Sequence, residues 1–440
     1  MKKIVIAGAC AYHFQPAILE DLLVRRKEPC RLWLVDADAQ TLELTARAAR
    51  QLAKASGCPA EFYYTASWEK ALPGADAVIV CSDFLDEEAW KKDVESLSRV
   101  GLGKQARLAG GLGGAMQTLR AVGWIADLAE DMREVSSENA PLLLCDSGFG
   151  GLPLSRACEA AQRICGVRTL GVSAAAEQTR RRLALYLDVP EPDLDLVCAG
   201  LNGFSWVARL TDRRDGTNLI PRCMKEMAED PREKLSAQYI DWYGAIPAGH
   251  RPLQYELLAD TPESPMRTVI FSGVGLADAE TRKRDLAKLA VYGPAAEQGK
   301  EAWARIRRTG FSEARPAAAL SALWGGEPCE AGSLVMPCGG AVPGVPPGRF
   351  VEGPARVDAA GAHGYAVNLP IELEDVLSQL SLVNLLYAEA AATGNRDALR
   401  EALQIDPALA GVDLLYAEDL LESMMEGQKE KLHRFYGPDA

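Results

Sequence analysis

Three patterns of apolar and polar positions follow one another in the first 36 residues. Lys2-Lys3-Ile4-Val5-Ile6-Ala7 is a short charged start and an unbroken apolar run, which predicts a strand buried on both faces. Gly8-Ala9-Cys10 is a small-residue turn. Ala17-Ile18-Leu19 and Leu22-Leu23 recur at helical spacing, and Leu32-Trp33-Leu34-Val35 is a second apolar run closed by Asp36. The alternation continues. Helical spacing predicts helices over 39–55, 68–72 and 87–99, and apolar runs predict strands over 61–65 and 75–81. Ser82 and Asp83 would emerge at the C-terminal end of the last of these strands.

Six glycines between 101 and 114 predict an open loop that lets backbone approach a ligand. A helix over 115–134, a strand over 141–145, a second glycine patch at 148–151 and a strand over 167–172 complete the alternating part. From about residue 196 the character changes. Strands are expected over 196–206 and 208–211, with a turn at Asp215-Gly216. Residues 323–370 are too rich in Gly and Pro for a helix, and 373–435 are helical. The pattern predicts an α/β protein: a doubly wound, Rossmann-like domain over 1–195 and a mixed α+β domain over 196–440, as in lactate and malate dehydrogenases.

Composition narrows the function. Across 440 residues, 48% are hydrophobic and 25% charged, enough for a large core. A net charge of −13 argues against nucleic acid and anionic membrane as partners. Eleven cysteines include no C-x-x-C pair, and several sit in apolar runs, which fits reduced, buried thiols in a cytoplasmic protein.

The strand–turn–helix–strand opening is chemistry as well as fold. In such units a dinucleotide pyrophosphate rests on the N-terminus of the first helix, and an acidic residue ending the second strand takes a ribose hydroxyl. Gly8, Ala9, Cys10, Asp36, Ser82 and Asp83 are the candidate NAD-binding positions. Only the first glycine of G-x-G-x-x-G is present. A doubly wound fold without a dinucleotide is therefore the competing reading.

Several segments, in order, resemble glycoside hydrolase family 4, the glycosidases that use NAD. Ala199-Gly200-Leu201-Asn202-Gly203-Phe204-Ser205-Trp206 is similar to that family's A-G-L-N-H-x-x-W. Val335-Met336-Pro337, Val351-Glu352-Gly353-Pro354 and Asn368-Leu369-Pro370 are similar to its later N-L-P, V-E-x-P and L-P stretches. The resemblance implies that NAD takes a hydride from the sugar's C3, a base removes the acidified C2 proton, and the aglycone is eliminated. A divalent metal, Mn in the family, would be held by a cysteine and a histidine.

Ser173 stands where the family has the cysteine and Gly203 where it has the histidine, so both metal side chains are replaced. The arginine expected after Cys81 is absent, which argues against a 6-phosphosugar. Ile246-Pro247-Ala248-Gly249-His250 puts His250 near the family's catalytic tyrosine, with Tyr243 and Tyr255 as alternatives. Asp146, Asn202 and Arg251 are candidates for substrate binding, Asp146 through a sugar hydroxyl and Arg251 by pairing with a carboxylate or phosphate of the ligand, unless it caps a helix. Lys104 and Arg107 are candidates for an anionic group. Three functions fit this set: an NAD-linked glycosidase working by redox and elimination, probed by ketone formation; an inactive relative binding nucleotide or sugar, or acting as a scaffold; and an NAD-dependent dehydrogenase. The resemblance also implies a homodimer or homotetramer.

Overall fold

The computed structural model describes the chain except residues 12–14, 82–83, 85, 107–108, 146–151, 250–253, 255–273, 310–315 and 438–440. Five strands follow the predicted runs: β1 (Lys2–Ala7), β2 (Cys30–Val35), β3 (Ala60–Thr65), β4 (Ala77–Val80) and β5 (Leu142–Cys145). With β6 (Thr169–Val172) they form a parallel sheet in the order β3-β2-β1-β4-β5-β6. This is the strand order of dinucleotide-binding folds, with its switch point between β1 and β4.

The apolar runs are continuous because both sheet faces are covered. Val5, Ala7, Val78, Val80, Leu142 and Leu144 pack into one core. Ile4, Ile6, Ala77, Ile79, Leu143 and Cys145 alternate into the other. Helices α1 (Gln15–Glu20), extended by a π-helical stretch to Arg26, and α2 (Ala39–Ser56) lie on the second side. The helical region between β1 and β2 accounts for the long spacing from Gly8 to Asp36. Helices α3 (Trp68–Ala71) and α4 (Glu87–Arg99) follow the sequence closely.

The glycine patch at 110–114 is not an open loop. Gly111, Leu112, Gly113 and Gly114 are the buried first turn of α5 (Gly111–Val135). The glycines serve close packing. A β-carbon on Gly114 would stand 2.7 Å from the Ala109 carbonyl carbon. Asp406 fixes the helix start by accepting from Gly111 N (3.1 Å), and Tyr387 Oη donates to the same oxygen (3.1 Å). Next comes α6 (Leu154–Cys158), whose buried Arg156 donates to Asn384, Thr118 and the Ala109 carbonyl.

Beyond α7 (Ala175–Leu187) the chain turns antiparallel. β7 (Leu194–Leu201) and β8 (Phe204–Asp212) form a hairpin. The turn falls at Asn202-Gly203, not after Trp206 as the apolar pattern suggested, because Gly203 supplies a left-handed φ of 83°. Helices α8 (Ile220–Glu229) and α9 (Lys234–Tyr243) lead to the short β9 (Pro247–Ala248). The Gly/Pro-rich region, expected only to be non-helical, carries β10 (Cys329–Pro337), β11 (Phe350–Asp358) and β12 (Gly361–Gly364). Cross-strand partners hold these segments, a tertiary constraint that local composition does not record. β6 pairs with β10, so one sheet continues through β10-β11-β7-β8-β9 into the second half of the chain. The last long helix, Glu374–Thr393, packs on the first core.

Candidate functional site

The turn after β1 is tied to the end of β2. Gly8 takes φ 76°, and both Gly8 N and Ala9 N donate to the Val35 carbonyl (3.0 and 3.1 Å). Cys10 N donates to Asp36 Oδ2 (2.8 Å), and Asp38 N donates to Asp36 Oδ1 (3.1 Å). The Asp36 carboxylate therefore lies at the turn, at the C-terminal end of the parallel strands, where an acidic residue meets the ribose of a dinucleotide. Its oxygens keep acceptor capacity beyond these two bonds. Cys10 Sγ lies 3.8 Å from the Asp38 carbonyl. Across the switch point, Cys81 N donates to the Ala7 carbonyl (2.9 Å), and Cys81 Sγ donates to the Gly8 carbonyl (3.1 Å). Gly8, Ala9, Cys10 and Asp36 are thus brought together. Ser82 and Asp83 lie outside the described residues.

Three strands along the same edge, roughly 14 Å away at the usual spacing, a second constellation is built. Ser173 directly follows β6. It donates to Glu352 Oε1 (3.1 Å) and accepts from Ala175 N (3.2 Å) at the start of α7. Ser333 on β10 donates to the same Glu352 oxygen (2.6 Å). Asn202, in the β7–β8 turn, donates from Nδ2 to Glu352 Oε2 (2.9 Å). Glu352 is 1% exposed. Three strands and a helix start thus converge on one buried carboxylate.

The sequence reading missed Glu352 and Ser333 as site residues. The signal was present: an acid inside the apolar strand Phe350-Val351-Glu352 must be buried, and a buried carboxylate requires donors.

The segment before His250 is anchored beside this cluster. β9 pairs with β8 at Ser205, itself paired with Gly200, and Gly200 pairs with Glu352. Gly249 N donates to Thr179 Oγ1 on α7 (2.7 Å). Gln254 Nε2 donates to the Ser205 carbonyl (2.7 Å), and Tyr239 Oη donates to the Gln254 carbonyl (2.6 Å). His250, Arg251, Tyr255, Asp146 and Arg107 lie outside the described residues. Tyr243 ends α9 in an aromatic group, stacked on Tyr239 at 5.9 Å and tilted against Trp206 at 5.9 Å. Burial pushes its phenol up, so the phenolate that would act as a base is scarcer, and the position suits a wall. Lys104 is exposed in a single turn of 3-10 helix.

The two positions where the family resemblance expects metal ligands do not suit that ion. Ser173 is a neutral hydroxyl already engaged on both sides. Gly203 has no side chain and sits at a backbone angle that a β-carbon strains. Among the described residues, no group of three or more His, Cys, Asp or Glu is placed to hold a metal ion.

Residues 3–171 match the model of the family 4 glycosyl hydrolases, and 198–409 match that of the same family's C-terminal domain. An alpha-galactosidase of Rhizobium meliloti (strain 1021) is 23% identical over 93% of this chain and 84% of its own. A 6-phospho-alpha-glucosidase from gut microorganisms, solved in complex with NAD and Mn2+, shares the fold. Its TM-score is 0.73, at 20% identity over 98% of both chains. A malate dehydrogenase from Plasmodium falciparum shares the architecture more distantly, at TM-score 0.52 and 15% identity over 91% of this chain and all of its own.

Proposed function

This chain belongs to the family 4 glycosyl hydrolases, and on that premise we propose that it is an NAD-linked glycoside hydrolase. Bound NAD would supply the acceptor for the hydride at the sugar's C3 and its return at the end. The observation that carries the reading is the Asp36 carboxylate held against the Gly8-Ala9-Cys10 turn at the switch point of the sheet. In this reading Asp36 orients a ribose hydroxyl, and the pyrophosphate lies at the Gly8-Ala9-Cys10 turn, toward the first helix.

The remaining roles follow the second constellation. Asn202, oriented by Glu352, holds a sugar hydroxyl. His250 takes the C2 proton as the glycosidic bond breaks, and Arg251 pairs with a ligand oxygen. What supports these roles is that both flanks of 250–253 are pinned: Gly249 to Thr179, Gln254 to Ser205. The substrate is a glycoside without a 6-phosphate, since no arginine stands at 82–85 after Cys81. The protein works as a homodimer or homotetramer in the cytoplasm, with a cofactor domain over 1–195 and a substrate domain over 196–440. Among the described residues, no helix is long and apolar enough to cross a membrane.

The test is cleavage in heavy water. Chromogenic glycosides, with and without 6-phosphate, are incubated with protein and NAD, and the released sugar is analysed by mass spectrometry. One solvent deuterium on C2 is expected. Cleavage without label would indicate direct hydrolysis by paired carboxylates. NAD binding with no cleavage and no exchange would favour the binding-only relative.

A further inference from the structure

We infer that the place where the family resemblance expects a divalent cation is held in this chain by a carboxylate satisfied from within the protein. Ligands bind here with no divalent ion at Ser173 and Gly203. The geometry stands by itself; its consequence for the sugar rests on the NAD-linked reading above.

The ligands are of the wrong kind. A thiolate carries charge to a cation, whereas the Ser173 hydroxyl gives its hydrogen to Glu352 Oε1 and a lone pair to Ala175 N. The backbone at Gly203 is also wrong. Leu201 and Phe204 are paired, so Asn202-Gly203 is a two-residue turn, and Gly203 takes φ 83°. An imidazole-bearing residue there would impose left-handed backbone strain.

The charge is already accounted for. Glu352 is a hard oxygen donor of the type that suits Mn2+. Yet Ser173 and Ser333 aim hydroxyl hydrogens at one of its oxygens, and Asn202 aims an amide hydrogen at the other. Asn202 must face Glu352 with nitrogen, because its oxygen would meet the carboxylate as a second acceptor. A cation at Glu352 would have to displace these hydrogens and turn the amide, losing three hydrogen bonds in a site shielded from water. Fixed dipoles thus satisfy the carboxylate in place of a cation, and the half-buried Asn202, held by Glu352, is left as the preorganised contact for a sugar hydroxyl.

The experiment uses the full chain after chelator treatment. Mn2+ alone is titrated in, with free ion followed by its electron paramagnetic resonance signal, with and without NAD. NAD binding is followed on the same samples by tryptophan fluorescence. The expected result is no Mn2+ bound at this position, and NAD affinity that changes less than twofold between chelator and saturating Mn2+. One Mn2+ per chain that is lost in Ser173→Ala or Glu352→Gln overturns the inference. Mn2+ that binds equally to wild type and both variants lies elsewhere and supports it. Ser173→Ala removes one atom and guards against misfolding of Glu352→Gln. If NAD fails to bind in every sample, the redox reading falls, while the Mn2+ titration still decides this one.

Discussion

Glu352 shows how one residue links strand register to chemistry. It sits in β11 opposite Val335 and Gly200, and it collects a donor from each of three neighbouring segments. Removing the carboxylate leaves two buried hydroxyls and a half-buried amide without it. Glu352→Ala should therefore cost about 2–4 kcal/mol in urea unfolding. Ser333→Ala should cost about 1 kcal/mol, since one hydrogen bond is lost and Glu352 keeps its other donors. Asp36 is readable in the sequence because a strand-end acid after a first βα unit has one common use. Glu352 is harder to read. Its donors Ser173, Asn202 and Ser333 are far apart in sequence, and only the pairing of β6, β10, β11 and β7 assembles them.

At the scale of elements, local patterns predict what local physics decides. The helices over 39–56 and 87–99 carry their own N-caps, Asp38 and Asp86, each accepting from a backbone N–H three residues on. Their ends are accordingly where the sequence puts them. The start of α5 was misread because glycine signals both open loops and close packing, and only the neighbour at Ala109 tells them apart. Gly114→Ala should destabilise by about 1–3 kcal/mol through that clash. Gly74→Ala, with open space around it, would suffer only the strain of its φ of 66°. Comparing the two by chemical denaturation separates packing from backbone cost. Strands β10 to β12 were invisible for the converse reason. Gly and Pro dominate 339–348, and the strands on either side exist through their partners in β6 and β7.

The whole molecule is a reduced, acidic protein with a doubly wound half continuous with an antiparallel half. None of the eleven cysteines, all of them among the described residues, forms a disulfide, and Cys10 and Cys329 alone among them are partly exposed. Burial pushes the thiols of Cys30, Cys198 and Cys223 up to about 12 from an ordinary 9.0. The folded chain thus keeps protons that the unfolded chain releases above pH 9. Their contribution is fully present below pH 9 and is lost as pH rises toward 12. Unfolding free energy should fall steadily above about pH 9, and a thiol reagent at neutral pH should label Cys10 and Cys329 before the others. A flat stability profile from pH 7 to 11 would contradict this.

The functional account depends on the first βαβ unit binding a dinucleotide. Calorimetric titration of the folded chain with NAD tests it most directly. One NAD per chain is predicted, with affinity falling at least tenfold, about 1.4 kcal/mol, in Asp36→Ala. Absence of binding by a chain that keeps its cooperative unfolding transition, or binding indifferent to Asp36, would contradict it.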